Sequence, residues 1–347
     1  MLRTRSLQAL AYRFARLGIF AWPLIILCLP ALGTENCLTA TEMDASTRTT
    51  LESTAKRFFE MAARGDSASL RQNAISFLAS NFGGVEAAIN DNKEKFASAQ
   101  STVQPPYLLE EQGTAPAERA AFFCGIYNSP DRVGFAIPNL APGNYAIVIQ
   151  DLKTANDGPY SVTMVLQQEG GAPGTAAGGA WKLAGYYVRP HTINGHDGEW
   201  FLQQARAFKA KGQFHNAYYY YLEARQLISP VDFIGTPQLD KLYDETQQVV
   251  PRDMPVTAPV DQVLGGKSYK LTQVFPVPVG KDLELVVKYQ VPDISNTTQT
   301  FQDNMTVIKG VVAKFPEFRD AFTGVVARAV NPSGQDYGSL LPMSEIK

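Results

Sequence analysis

The sequence predicts an α+β protein, and three observations carry that prediction. Apolar residues recur at helical spacing from about residue 46 to residue 97. Polarity then alternates residue by residue in the runs around 145–150 and 160–167. Helical spacing returns between Phe201 and Pro230, before a last stretch of mixed elements. The expected order is N-terminal helices with an antiparallel sheet, a central helical hairpin and a small C-terminal β-β-α-β unit. A chain of 347 residues, 45% hydrophobic and 11% aromatic, buries substantial cores and holds two or three domains.

The first 33 residues differ from the rest. Arg3, Arg5, Arg13 and Arg16 precede the uncharged apolar stretch Leu17 to Leu32, and Ala31-Leu32-Gly33 offers small residues for cleavage. This reads as an export signal. The stretch also reaches the lower limit of roughly 17 residues for a spanning helix, so retention as an anchor is the second reading. Pro23 and Pro30 weaken a straight helix without excluding one. No other segment approaches spanning length, and the positive-inside rule sets the remainder on the far side of the bilayer.

Of the cysteines Cys28, Cys37 and Cys124, none follows the small residue that lipidation requires, since Leu27 and Asn36 precede the first two. An oxidising compartment permits a Cys37–Cys124 disulfide. The preferred reading is that Cys124, inside Ala121-Phe122-Phe123-Cys124-Gly125, is a buried small hydrophobe. The net charge is −2, and Lys and Arg form no run beyond the extreme N-terminus, so nucleic acid finds no counter-surface.

Residues 34–46 are polar and small and read as a tether. Leu51, Ala55, Phe58, Phe59 and Ala62 mark a helix closed by Gly65-Asp66; further helices are expected near 67–78 and 84–97. Tyr145 to Gln150 and Tyr160 to Gln167 read as half-buried strands, with turns at Ala141-Pro142-Gly143-Asn144 and Asn156-Asp157-Gly158-Pro159. A closing strand runs from Trp181 to Val188. The Gly/Ala/Pro-rich loop before it, Gly170 to Gly179, is expected to be mobile.

Helices first, then long strands ending in Trp181-Lys182-Leu183-Ala184-Gly185-Tyr186-Tyr187-Val188, resemble the NTF2-like (cystatin-like) fold over residues 46–190. That resemblance implies a curved sheet wrapped on a long helix, with a pocket in the cone between them. Enzymes of the family place an Asp or a His pair in the cone. No histidine occurs here before His191, and no catalytic position matches, so the resemblance implies a pocket without chemistry.

Phe201, Ala205, Phe208, Gly212, Ala217, Tyr221 and Ala224 fall at offsets that resemble a tetratricopeptide repeat, with Lys211-Gly212-Gln213 as its turn. Gln204 and Pro230 depart from the pattern, and one copy is present. One repeat cannot bury its face alone, so the segment 196–250 must pack on a neighbouring domain or a partner. A further helix near Pro237 to Val249 is its third wall. Pro251, Pro255 and Pro259 mark a linker. In the last unit, 260–347, Ser268–Val274 pairs with Leu283–Tyr289, a helix carries Ile308, Val311 and Val312, and a strand follows at Phe322–Val330.

Candidate sites are few. His191, His196 and Asp197 offer two imidazoles and a carboxylate, but no fourth ligand is evident. The competing reading is a loop whose Asn194 or Asp197 caps a helix. His215 reads as a surface or capping residue, and Glu110-Glu111 as a solvated strand end. Within Tyr218-Tyr219-Tyr220-Tyr221 the helical period spreads the rings by about 100° each, so Tyr219 or Tyr220 must point away from the packed face. An outward tyrosine suits partner binding; contact with the adjoining domain is the competing reading. Gly265-Gly266-Lys267-Ser268 lacks the first glycine of a phosphate loop and precedes a strand, so neither nucleotide nor other cofactor is expected.

The expected function is that of an exported or membrane-anchored, non-catalytic binding or scaffold protein of a bacterial-type cell envelope. Its partner is a protein or a small apolar ligand. The alternative is an NTF2-like enzyme acting on a small apolar ligand in the cone, which requires a buried acid with a raised pKa there.

Overall fold

The computed structural model describes residues 35–170, 179–280 and 282–347. The expected signal or anchor, most of the loop 170–179 and Lys281 lie outside the described residues. Among the described residues, no helix is long and apolar enough to cross a membrane.

The first described element is β1 (Glu35–Leu38), where a tether was expected. Helix α1 (Ala45–Ala63) starts where Asp44 accepts the Thr47 N–H at 2.8 Å. It stops at Gly65, whose φ of +73° lets the Asp66 and Gly65 amides donate back to the carbonyls of Met61 and Ala62. The single helix expected over 67–78 is two, α2 (Ser67–Gln72) and α3 (Ser76–Ser80). Between them the Asn73 carbonyl and the Ile75 amide pair with Leu183, so sheet bonds replace helical ones. Helix α4 spans Gly83–Phe96.

Next come β2 (Gln100–Val103), β3 (Tyr107–Glu111), β4 (Ala117–Cys124), β5 (Val133–Leu140), β6 (Gly143–Lys153), β7 (Pro159–Gln168) and β8 (Trp181–Pro190). The main sheet has the order β1-β3-β6-β7-β8, with β2 also on β6, and it is antiparallel throughout. Because side chains alternate across a strand, it has two buried faces. Ala146, Val148, Met164 and Leu166 meet Leu51, Phe58, Phe59, Ile89 and Phe96 of the helices. Tyr145, Ile147, Ile149 and Val165 join a second core on the opposite side.

That second core is built by the middle of the chain. A short ribbon of β9 (Thr192–Ile193) and β10 (His196–Asp197) turns through Asn194-Gly195, both at positive φ, the backbone an Asn-Gly hairpin turn needs. Helices α5 (Gly198–Ala210) and α6 (Phe214–Ile228) follow as the expected hairpin. Then come β11 (Ile234–Gly235) and α7 (Pro237–Gln247). Strand β11 pairs with β5, and β11-β5-β4 form a separate three-stranded sheet.

The last unit is larger than the expected β-β-α-β. Its strands are β12 (Val260–Leu264), β13 (Lys267–Val279), β14 (Asp282–Gln290), β15 (Gly324–Val330) and β16 (Asp336–Pro342), in that order in one sheet, with α8 (Thr297–Lys314) crossing between the parallel pair β14/β15. Asp261 and Gln262 hid β12 from a reading by apolar runs, and Gly338 and Ser339 hid β16. Both are outer strands with wet positions.

One hydrophobic core runs from the main sheet through α5–α7 into Leu285, Val287, Ile308 and Val311 of the last unit, and residues 34–347 form one compact unit. The helical hairpin is therefore covered on both sides by its own chain, as an isolated helix pair requires.

Candidate functional site

Burial removes most sequence candidates from consideration as a surface. All four tyrosines of the 218–221 run are buried, Tyr219 at 1% exposure and Tyr220 at 7%. The expectation that Tyr219 or Tyr220 points outward is corrected here, because the C-terminal unit occupies the side of α6 that an isolated hairpin would leave wet. Tyr220 lies against Phe208 and Phe201 at ring distances of 4.9 and 5.4 Å and donates to the Ala321 carbonyl at 2.8 Å. Tyr221 donates to Glu245, which also holds Arg206 through two contacts of 2.8 Å. Burial pushes the Tyr220 and Tyr221 hydroxyls up to about 12.

Tyr218 and Tyr219 differ from that pair. Neither hydroxyl has a hydrogen-bond partner among the described residues, although burial raises both pKa values. Both residues line a cleft of about 510 Å³ between α6, the proline-rich linker and β13. Leu222, Pro255, Val256, Pro259, Val274 and Phe275 supply apolar wall; Thr257, Thr272 and Gln273 add neutral polar groups. Among the described residues, its lining contains no carboxylate, amine, imidazole or thiol.

The cleft exists because two strands part. β12 pairs with β13 only as far as Val260↔Leu271, and Thr272 is passed over in a register shift against β14. From Gln273 to Val279, β13 is paired with β14 alone. Pro276 and Pro278 lack the N–H groups that a further strand would need, so this edge resists strand addition. A ligand in the cleft meets rings, hydroxyls and carbonyl oxygens.

The histidine candidates separate. Asp197 caps α5 by accepting the Trp200 N–H at 2.9 Å. His196 stacks on Trp200 at 3.8 Å, and His191 Nδ1 meets the Leu227 carbonyl at 2.9 Å. Among the described residues, no cluster of His, Cys, Asp and Glu is arranged to hold a metal. His215 is neither a cap nor a free surface residue. Its Nδ1 lies 2.6 Å from Glu317 and its Nε2 2.9 Å from Asp253, tying the hairpin to the last unit and to the linker. His215→Ala is expected to cost about 2 kcal/mol, the scale of hydrogen bonds to charged groups, read as a lower urea midpoint. An unchanged midpoint would show that the tie contributes nothing.

Other expectations are also corrected. Glu110 and Glu111 are buried, because β1 pairs across them and Asn36 donates to Glu110 at 2.9 Å. Cys124 is buried yet bonded to Cys37, their Cα atoms 5.1 Å apart. The layer between the first helices and the sheet is filled by Phe58, Phe59, Phe96, Trp181 and Tyr186. Its buried polar atoms include both amide atoms of Gln150 and the Tyr186 hydroxyl, which lack partners among the described residues. Acids with raised pKa values lie elsewhere: burial pushes Glu223, on α6, up to about 7 and also raises Glu284, on β14.

In comparison with known proteins, no family model matches this chain, and no curated protein or solved structure matches it significantly.

Proposed function

We propose that this chain is an exported or membrane-anchored, non-catalytic binding protein of a bacterial-type cell envelope, and that the cleft beside Tyr219 takes a small neutral ligand with an apolar body. One observation carries the reading: a tyrosine hydroxyl without a partner among the described residues, on a residue 1% exposed, borders a cleft of about 510 Å³. The hydroxyl is not among the fully buried atoms left unpaired, so it opens onto the cleft and is free to bond a ligand there, and clefts of roughly 300–1,000 Å³ suit small molecules. A neutral ligand fits because the lining holds no formal charge to offset one, and the absence of an acid, base or thiol in it favours binding over turnover. The basic, then apolar, then small-residue order of residues 1–33 supports export or anchoring.

The helices-then-sheet order supports an NTF2-like relationship for residues 46–190, and the α5–α6 pairing supports a tetratricopeptide-like hairpin. The alternative, an enzyme working between the first helices and the sheet, draws on the unpaired Gln150 and Tyr186. It is weakened by the aromatic filling of that layer and by the position of Glu223 outside it.

The test is native mass spectrometry of the protein after incubation with a small-molecule extract of cell envelopes, for wild type and Tyr219→Phe. A retained neutral species is expected, bound about fivefold more weakly by the variant, since one hydrogen bond contributes about 1 kcal/mol. Folding stability should move by less than about 0.5 kcal/mol, because the hydroxyl has no protein partner to lose. Equal retention by both proteins, or no retained species, would refute the cleft as the binding site.

A further inference from the structure

The hairpin joining β4 and β5 ends in apolar side chains that the other described residues leave uncovered. Along β4 the inward positions Ala120, Phe122 and Cys124 are buried, as alternation requires. Outward, where a polar residue is expected, Phe123 is 71% exposed, and in the loop beyond it Ile126 and Tyr127 are 79% and 82% exposed. The structure around them is held in place. Gly125 and Asn128 take positive φ, the Ser129 amide donates to the Ile126 carbonyl at 3.0 Å, and the Asp131 amide donates to Ser129 Oγ at 3.2 Å. The Cys37–Cys124 disulfide fixes one arm, and an Arg132–Asp240 ion pair of 2.7 Å fixes the other.

We propose that this tip is a membrane contact, with Phe123, Ile126 and Tyr127 entering the interfacial region of a lipid bilayer. Phe123 also borders a cleft of about 340 Å³ whose lining includes Arg119, Arg132 and Asp240, but Ile126 and Tyr127 stand in the loop beyond the strand ends, where a bilayer accepts a convex tip. Between Cys124 and Pro130 the loop carries no formal charge that would have to be dehydrated. Tyrosine pairs an apolar ring with a hydroxyl and is favoured at headgroup depth. Covalent connectivity points to the same occupant: residues 33–36 alone separate the apolar stretch ending at Leu32 from Cys37, which is bonded to the arm that carries the tip. The inference rests on the export or anchoring part of the proposed function and is independent of the cleft.

The test uses residues 34–347, which form one compact unit, in co-sedimentation with vesicles of phosphatidylethanolamine and phosphatidylglycerol. The triple variant Phe123→Ser, Ile126→Ser, Tyr127→Ser replaces exposed side chains, so its thermal midpoint should match wild type. A fall of at least about tenfold in vesicle partitioning is expected, since membrane binding of this kind scales with buried apolar area. Tyr219→Phe should partition as wild type does, which separates failure here from failure of the cleft reading. Equal partitioning of wild type and the triple variant would overturn the proposal, as would no partitioning by wild type. Wild-type self-association abolished by the triple variant, without vesicle binding, would assign the tip to a second copy of the chain instead.

Discussion

Glu223→Gln is expected to stabilise the protein by about 3 kcal/mol at pH 8 while leaving stability near pH 4 unchanged. Glu223 is 9% exposed on α6 and makes no hydrogen bond or ion pair among the described residues. Burial therefore penalises its charged form and lifts its pKa from 4.5 to about 7. Below about pH 4.5 the carboxyl is protonated in both folded and unfolded chains and contributes no pH dependence. Between about 4.5 and 7 the folded protein keeps a proton that the unfolded chain has released, so stability falls as pH rises through this window. Above about 7 the loss is complete. A displacement of two to three pKa steps corresponds to about 3 kcal/mol. Glutamine mimics the protonated acid, so the variant should not show this fall. Urea unfolding of both proteins across the window measures it; parallel pH curves would show that Glu223 is solvated or paired in solution.

Removal of the disulfide has a larger expected effect, of opposite sign. Cys37 and Cys124 are separated by 87 positions, and their bond closes that long loop in the unfolded chain. The loop-entropy relation assigns such a closure about 4–5 kcal/mol, a large part of the stability of an ordinary domain. Cys37→Ser with Cys124→Ser should lower the denaturation midpoint accordingly and free β1 from β4. Hydrogen exchange should then rise first in residues 35–38 and in β3 beside them, since β1 pairs with β3 and covers Glu110 and Glu111. A double variant with unchanged midpoint and exchange would show that pairing with β3 alone holds β1.

The same strand marks a limit of reading by pattern. Glu35-Asn36-Cys37-Leu38 is too short and too polar to display a period, so it resembled a tether. Its strand character comes from β3, which supplies the hydrogen-bonding partners, and from Cys124. Strand β11, only Ile234-Gly235, is likewise defined by its pairing with β5. By contrast α1 and α5 were legible because their buried positions repeat at a period of 3.6, whereas β6, β7, β14 and α6, apolar enough to be recognised, are buried on both sides over most of their length and not half-buried as expected, because a second layer covers each of them.

The candidate cleft was half legible. The tyrosine run drew notice for an outward side chain, and the structure divides it differently: Tyr220 and Tyr221 find partners inside the chain, whereas Tyr218 and Tyr219 border the cleft. The opposite wall, Thr272 to Phe275, lies far along the sequence and carries no motif. The departure of β12 from β13 at Leu271 leaves room beside it. His215 was misread for a related reason, since Asp253 and Glu317 come from segments whose approach no local pattern records.

By itself the sequence determined the α+β class, most long elements and the need for the 196–250 helices to be covered, because periodicity and one-sided apolarity are properties of consecutive residues. Tertiary structure alone decided what covers them, which cysteines pair, which acid lacks a partner and which tyrosine hydroxyls meet open space. Those outcomes depend on distances between residues remote in the chain, and short-range pattern carries no information about such distances.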